Sequence, residues 1–105
     1  MYQSTQSFVT PIQEAKPISP VQQVLLDAAE SIEKYGWCQG RGGVNGGPRC
    51  ALGALVHAAN NERSLYAGAL LGLTRIIGSG VVYWNDAPER TKAEVIAALR
   101  AAAGV

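Results

Sequence analysis

Two four-residue stretches constrain this chain more than anything else in it. Ser19-Pro20-Val21-Gln22 and Thr91-Lys92-Ala93-Glu94 each set a hydroxyl residue three positions ahead of a Gln or Glu. In that spacing the hydroxyl accepts from one backbone N–H while the longer side chain reaches back to another, and a helix starts. Proline directly after Ser19 suits a first helical residue, because its φ is preset and its missing N–H would have had no partner there. Leu25, Ala28, Ala29 and Ile32 then recur at helical spacing, with Asp27, Glu30 and Glu33 mostly on the opposite face and Gly36 as a left-handed stop. Behind the second box, Val95, Ala98, Leu99 and Ala102 form the stripe of a last helix.

Two more apolar runs lie between these helices. CALGALVHAANN, beginning at Cys50, is apolar nearly all round and is expected as a central, buried helix broken by Asn60, Asn61 and Glu62. SLYAGALLGLTRIIG follows, stopping at Gly78, with Gly68 and Gly72 spaced for close approach of a neighbouring backbone. Gly80 to Trp84, GVVYW, has strand composition but little length; it is expected either as a brief extended segment pairing with the 37–49 loop or as irregular chain. The expected fold is all-α: a small four-helix domain over 19–105, with a Gly-rich loop between the first two helices that is open to a short β-hairpin turning at Asn45-Gly46. Residues 1–18, polar and carrying Pro11 and Pro17, are expected as a flexible N-terminal arm.

At 105 residues the chain suits one domain, with 48% hydrophobic and only 16% charged residues. A net charge of +1 gives no overall field toward nucleic acid or an acidic membrane, so neither is an expected partner. From Lys34 to Asn61, however, the chain carries Lys34, Arg41 and Arg49 and no acid. No run approaches the roughly 18 apolar residues of a membrane span. The opening residues lack a basic start followed by an apolar run, so no secretory leader is read and a cytoplasmic location is expected. There, a Cys38–Cys50 disulfide is disfavoured.

Three kinds of chemistry have candidate residues. For a metal, Cys38, Cys50 and His57 are the soft or imidazole ligands present. Cys50 and His57 stand seven apart, about 10 Å of helical rise, and Asp86 would be needed as a fourth ligand, so no metal and no cofactor is expected. For nucleophilic catalysis, Cys38, His57 and Asn85 or Asp86 follow the order of thiol, base and orienter in papain-like sites. That makes Cys38, His57 and Asp86 the catalytic candidates, ranked behind the reading of both cysteines as small buried hydrophobes. For anion binding, Gly40, Gly42, Gly43, Gly46 and Gly47 allow backbone amides to converge, Arg41 and Arg49 add charge, and a helix starts immediately after. Its candidate residues are Gly40, Arg41, Gly42, Gly43 and Arg49. No G-K-[ST] follows, so no known nucleotide motif is present. Trp37 and Trp84 are read as core anchors, and Asn85 and Asp86 as polar groups fixing loop backbone.

The combination GWCQG (36–40), CALGAL (50–55) and WNDAPERT-x-x-EV (84–95) resembles an uncharacterised family of small proteins from actinobacteria and their phages, a domain of unknown function. The resemblance covers about residues 20–103. It differs in the loop, where Gly and Asn replace a more charged linker, and in the additional arm. It implies a bacterial or phage-encoded cytosolic protein and carries no activity, cofactor or catalytic residue with it. The leading functional expectation is a non-enzymatic interaction protein that binds a host protein or assembles as a homo-oligomer. The alternatives are a small-molecule or nucleotide binder using loop 39–50, and a cysteine-dependent enzyme.

Overall fold

The computed structural model describes residues 17–40 and 47–105. Helices are α1 Pro20–Tyr35, α2 Ala51–Ala59, α3 Arg63–Ile77, α4 Val81–Asn85 and α5 Lys92–Ala103. The fold is all-α, with five helices and no strand among the described residues, one helix more than the sequence led us to expect. The addition is α4. Val81 to Trp84, read as strand-like from composition, forms a single helical turn capped by Gly80. Its apolar Val81 is buried against the core, and that contact outweighs the β-propensity of a short Val-rich segment. The expected arm lies outside the described residues up to residue 16, and so does the Asn45-Gly46 turn.

Both capping boxes form as read. Ser19 Oγ accepts from Gln22 N–H at 3.1 Å and Gln22 Oε1 accepts from Ser19 N–H at 2.9 Å. Thr91 and Glu94 exchange the same pair of bonds at 3.2 and 3.0 Å. The two helices they open pack antiparallel. Gln22 Nε2 donates to the Ala103 carbonyl at the far end of α5, while Lys92 at its start reaches the Glu33 carbonyl near the end of α1.

The central element is α1, which packs on α5, α2 and α3. It buries Val24, Leu25, Ala28, Ala29 and Ile32 against Val95, Ala98 and Leu99 of α5 and Ala51, Ala54 and Leu55 of α2. Full burial of Leu25, Ile32, Leu55, Leu73 and Leu99 contributes about 2 kcal/mol each on an area basis. The expectation of a central, buried second helix is corrected in part, since the central place belongs to α1. On α2, Val56 and His57 face solvent, and α3 fully buries only Ala69 and Leu73 while leaving Leu71 and Ile76 half exposed.

Of the two glycines on α3, only Gly68 marks a close approach. A Cβ there would meet Val21 Cγ2 at 2.9 Å, whereas one at Gly72 would lie at an ordinary 3.8 Å from Leu25 Cδ1.

Candidate functional site

The two ends of the Gly-rich connection meet just beyond α1. Arg49 N–H donates to the Gly36 carbonyl and Cys38 N–H to the Arg49 carbonyl, each at 3.2 Å, forming a parallel bridge between Trp37 and Arg49. A hairpin would have brought these strands together antiparallel. The described ends of the loop therefore run in the same direction.

This bridge is fastened to α4 by Asn85, which is buried to 1% exposure. Its Oδ1 accepts from Trp37 Nε1–H at 2.7 Å and from Ala51 N–H, at the start of α2, at 3.0 Å. Its Nδ2 donates to the Cys38 carbonyl at 3.1 Å and to Asp86 Oδ1 at 3.0 Å. An amide side chain has two donors and two lone pairs, so Asn85 is fully satisfied. Gln39 Nε2 adds bonds to the carbonyls of Asn85 and Ala87, and Gly40 N–H donates to Asp86 Oδ1 at 2.9 Å. Gly40 has φ +80, a left-handed conformation that other residues adopt at a cost. The segments WCQG and WND thus interlock into one polar clasp.

Asp86 is held below the ordinary carboxylate value of 3.8, first by the Gly40 N–H and then by the Asn85 side chain. Beside the clasp, the Arg90 guanidinium stacks 4.1 Å from the Trp84 ring while its Nε donates to the Trp84 carbonyl. Both tryptophans are half-buried against the core, as anchors should be.

The catalytic candidates are only partly brought together. Cys38 and Asp86 share Asn85 as a common neighbour. His57 is exposed in the last turn of α2, about 9 Å of helical rise from Ala51, where Asn85 holds the start of that helix. No disulfide joins Cys38 to Cys50. Cys50 is the N-cap of α2, 7% exposed, with Sγ accepting from Gly53 N–H at 3.3 Å. Among the described residues, no three His, Cys, Asp or Glu side chains are placed to hold a metal ion.

Of the anion-binding candidates, Arg41, Gly42 and Gly43 lie outside the described residues. Gly40 has given its N–H to Asp86, and the start of α2 has given Ala51 and Gly53 N–H to Asn85 and Cys50. Arg49 stands apart from these. It is 4% exposed, its guanidinium lies 5.2 Å from the centre of the Tyr35 ring, and its Nη1 is buried with no hydrogen-bond partner among the described residues. Lys34 Nζ lies 5.2 Å from the same ring. Lys34 and Arg49 stand out in the sequence as cations of an acid-free run, but Tyr35 does not, because its contact with Arg49 arises only when the bridge folds the loop end back on α1.

A separate open cleft of about 300 Å³ lies at the α2–α3 turn, lined by Val56, Ala59, Asn61, Glu62, Arg63 and Tyr66. None of the sequence candidates lines it. Among the described residues no helix is long and apolar enough to cross a membrane.

Residues 17–105 match the model of a family of unknown function, DUF6197, in agreement with the expected kinship to an uncharacterised family. No curated protein and no solved structure matches the chain.

Proposed function

Since the chain belongs to DUF6197, a family that brings no activity with it, we propose from its own residues that it is a non-enzymatic interaction protein. The observation that carries the reading is α4. Tyr83 is 82% exposed and Val82 beside it 52% exposed, while the next residues are pinned by the Asn85 clasp and by Arg90 on Trp84. An exposed aromatic on a fixed backbone loses little entropy on docking, which is what favours tyrosine at the centre of interfaces. The occupant is a partner protein whose surface offers an apolar pocket with a hydrogen-bond acceptor for the Tyr83 hydroxyl. The chemistry-bearing residues of the clasp support the same reading, because their bonds are made to one another. A cytoplasmic site of action, in an actinobacterium or a phage-infected host, belongs to this proposal.

The test compares partners recovered from the native host by the full chain and by a Val82→Ser/Tyr83→Ser variant of unchanged thermal stability. Loss of one defined partner with the variant is expected. Identical recoveries would remove the reading, and a concentration-dependent oligomer abolished by the variant would reassign the face to self-assembly.

A second reading, a binder of small anions near loop 39–50, draws on the buried and unpartnered Arg49 Nη1. A cysteine-dependent enzyme is the third, and it requires His57 to approach Cys38.

A further inference from the structure

We propose that Arg49 and Lys34, arranged about the Tyr35 ring, form a binding site for a phosphate group, either inorganic phosphate or a small phosphate ester. This deepens the anion-binding reading and is independent of docking at α4.

The argument starts from burial. A guanidinium cannot shed its proton at any ordinary pH, so a buried arginine keeps its charge and needs acceptors for its N–H groups. Arg49 is 4% exposed, and Nη1 has no acceptor among the described residues. A buried donor left unpaired costs more than a typical hydrogen bond contributes, and such groups in native proteins call for an explanation. The Tyr35 ring offers the cation its π face, which stabilises the charge but satisfies no N–H in particular.

Nor does any carboxylate among the described residues pair with Arg49 or Lys34. No Asp or Glu occurs from Lys34 to Asn61, a span that includes every residue of the loop. Glu33, next to Lys34, has its carboxylate on Arg100 at 2.8 Å, toward α5. Asp86 is engaged by Gly40 and Asn85.

Two cations on one ring, with no acid among the described residues paired to either, match a dianion better than a single carboxylate. Phosphate carries a charge between −1.5 and −2 near neutral pH and offers several oxygens, enough to accept from a guanidinium edge and an ammonium together. Tyr35 is 41% exposed and Lys34 is at the surface, so the approach runs along Tyr35. Anion binding here does not use the start of α2, whose amides are bonded within the chain.

The test is a titration of the full chain with inorganic phosphate and with AMP at constant ionic strength, followed by NMR of the Arg49 side-chain N–H and Tyr35 ring signals. Saturable shifts of both signals are expected with phosphate, and equal or tighter binding with AMP would identify an ester as the source. Lys34→Gln, at an exposed position, should weaken binding about fivefold without changing the fold. Arg49→Lys should weaken it about tenfold or more, since an ammonium cannot offer the planar pair of donors. Saturable shifts confined to other residues would overturn this site while leaving anion binding in place. No saturable shift with either probe, or the same shifts with chloride, would remove both.

Discussion

Trp37 Nε1 donates to Asn85 Oδ1 at 2.7 Å across 48 positions of sequence. The bond joins the residue that follows α1 to the last residue of α4, and the same Oδ1 receives the first N–H of α2. One buried amide thereby positions three elements. Asn85→Ala should destabilise the protein by about 3 kcal/mol, because Trp37 Nε1–H, Ala51 N–H and the Cys38 carbonyl would all lose a partner in the interior. Asn85→Asp should cost a comparable amount, since a carboxylate cannot donate to the Cys38 carbonyl and would set a second negative charge against Asp86. Urea unfolding measures both, and a loss below about 1 kcal/mol for Asn85→Ala would show that the clasp is not holding the fold together.

Asp86 makes part of that clasp dependent on pH. Its folded-state value lies below the ordinary 3.8 because the Gly40 N–H, and then the Asn85 side chain, stabilise the carboxylate. A lowered value means stability that is fully present above 3.8 and is lost as pH falls through the folded value. The difference in melting temperature between wild type and Asp86→Asn should therefore be constant near neutrality and shrink on acidification. Hydrogen exchange at the Gly40 amide should accelerate in the variant. A difference that stays constant down to the acid transition would count against the Gly40 bond.

The cap at Cys50 separates a structural thiol from a reactive one. With Sγ accepting from Gly53 N–H, the residue does the work that serine commonly does at this position. Cys50→Ser is expected to lie within about 0.5 kcal/mol of wild type, and Cys50→Ala to lose about 1 kcal/mol. Equal losses in the two variants, measured by thermal denaturation, would mean that the thiol's volume matters and its hydrogen bond does not.

The two glycines of α3 should respond oppositely to the same change. Alanine at either position gains about 1 kcal/mol of helix propensity. At Gly72 the new Cβ meets only Leu25 Cδ1 at contact distance, so Gly72→Ala should stabilise by about 0.5–1 kcal/mol. At Gly68 it would press on Val21 Cγ2 at 2.9 Å, and a β-branched side chain in a helix has little rotamer freedom with which to yield. Gly68→Ala should be destabilising by about 1 kcal/mol net. Stabilisation by both substitutions would mean that α1 and α3 are not in close contact at Val21.

Helix starts and stops were the most legible part of this protein, because a capping box, a proline at the first turn and a glycine stop each act within one helical turn. Ser19, Thr91, Gly36 and Gly78 all serve as caps, the first two with both bonds of the box made and Gly36 with φ 105 and ψ 171 instead of the left-handed helical pair. The stripe on α1 was legible for the same reason, since its period follows from helix geometry once the helix exists. The Val-rich segment at 80–84 was not. Five residues are too few for periodicity to speak, and burial of Val81 together with the clasp at Asn85 decided the turn.

The clasp illustrates the limit most directly. That Asn85 and Asp86 fix loop backbone could be read from their type and place, but their partners could not. Trp37, Cys38, Gly40 and Ala51 are 34 to 48 positions away. By itself, then, the sequence determined an all-α chain, where most of its helices begin and end, and which faces of α1 and α5 turn inward, since these depend on neighbours within a turn or two. Only the tertiary structure decided that α1 is the central helix, that Asn85 joins three elements, and that Arg49 comes to the Tyr35 ring beside which Lys34 lies. Those outcomes depend on which distant groups are left facing each other once the apolar faces have packed.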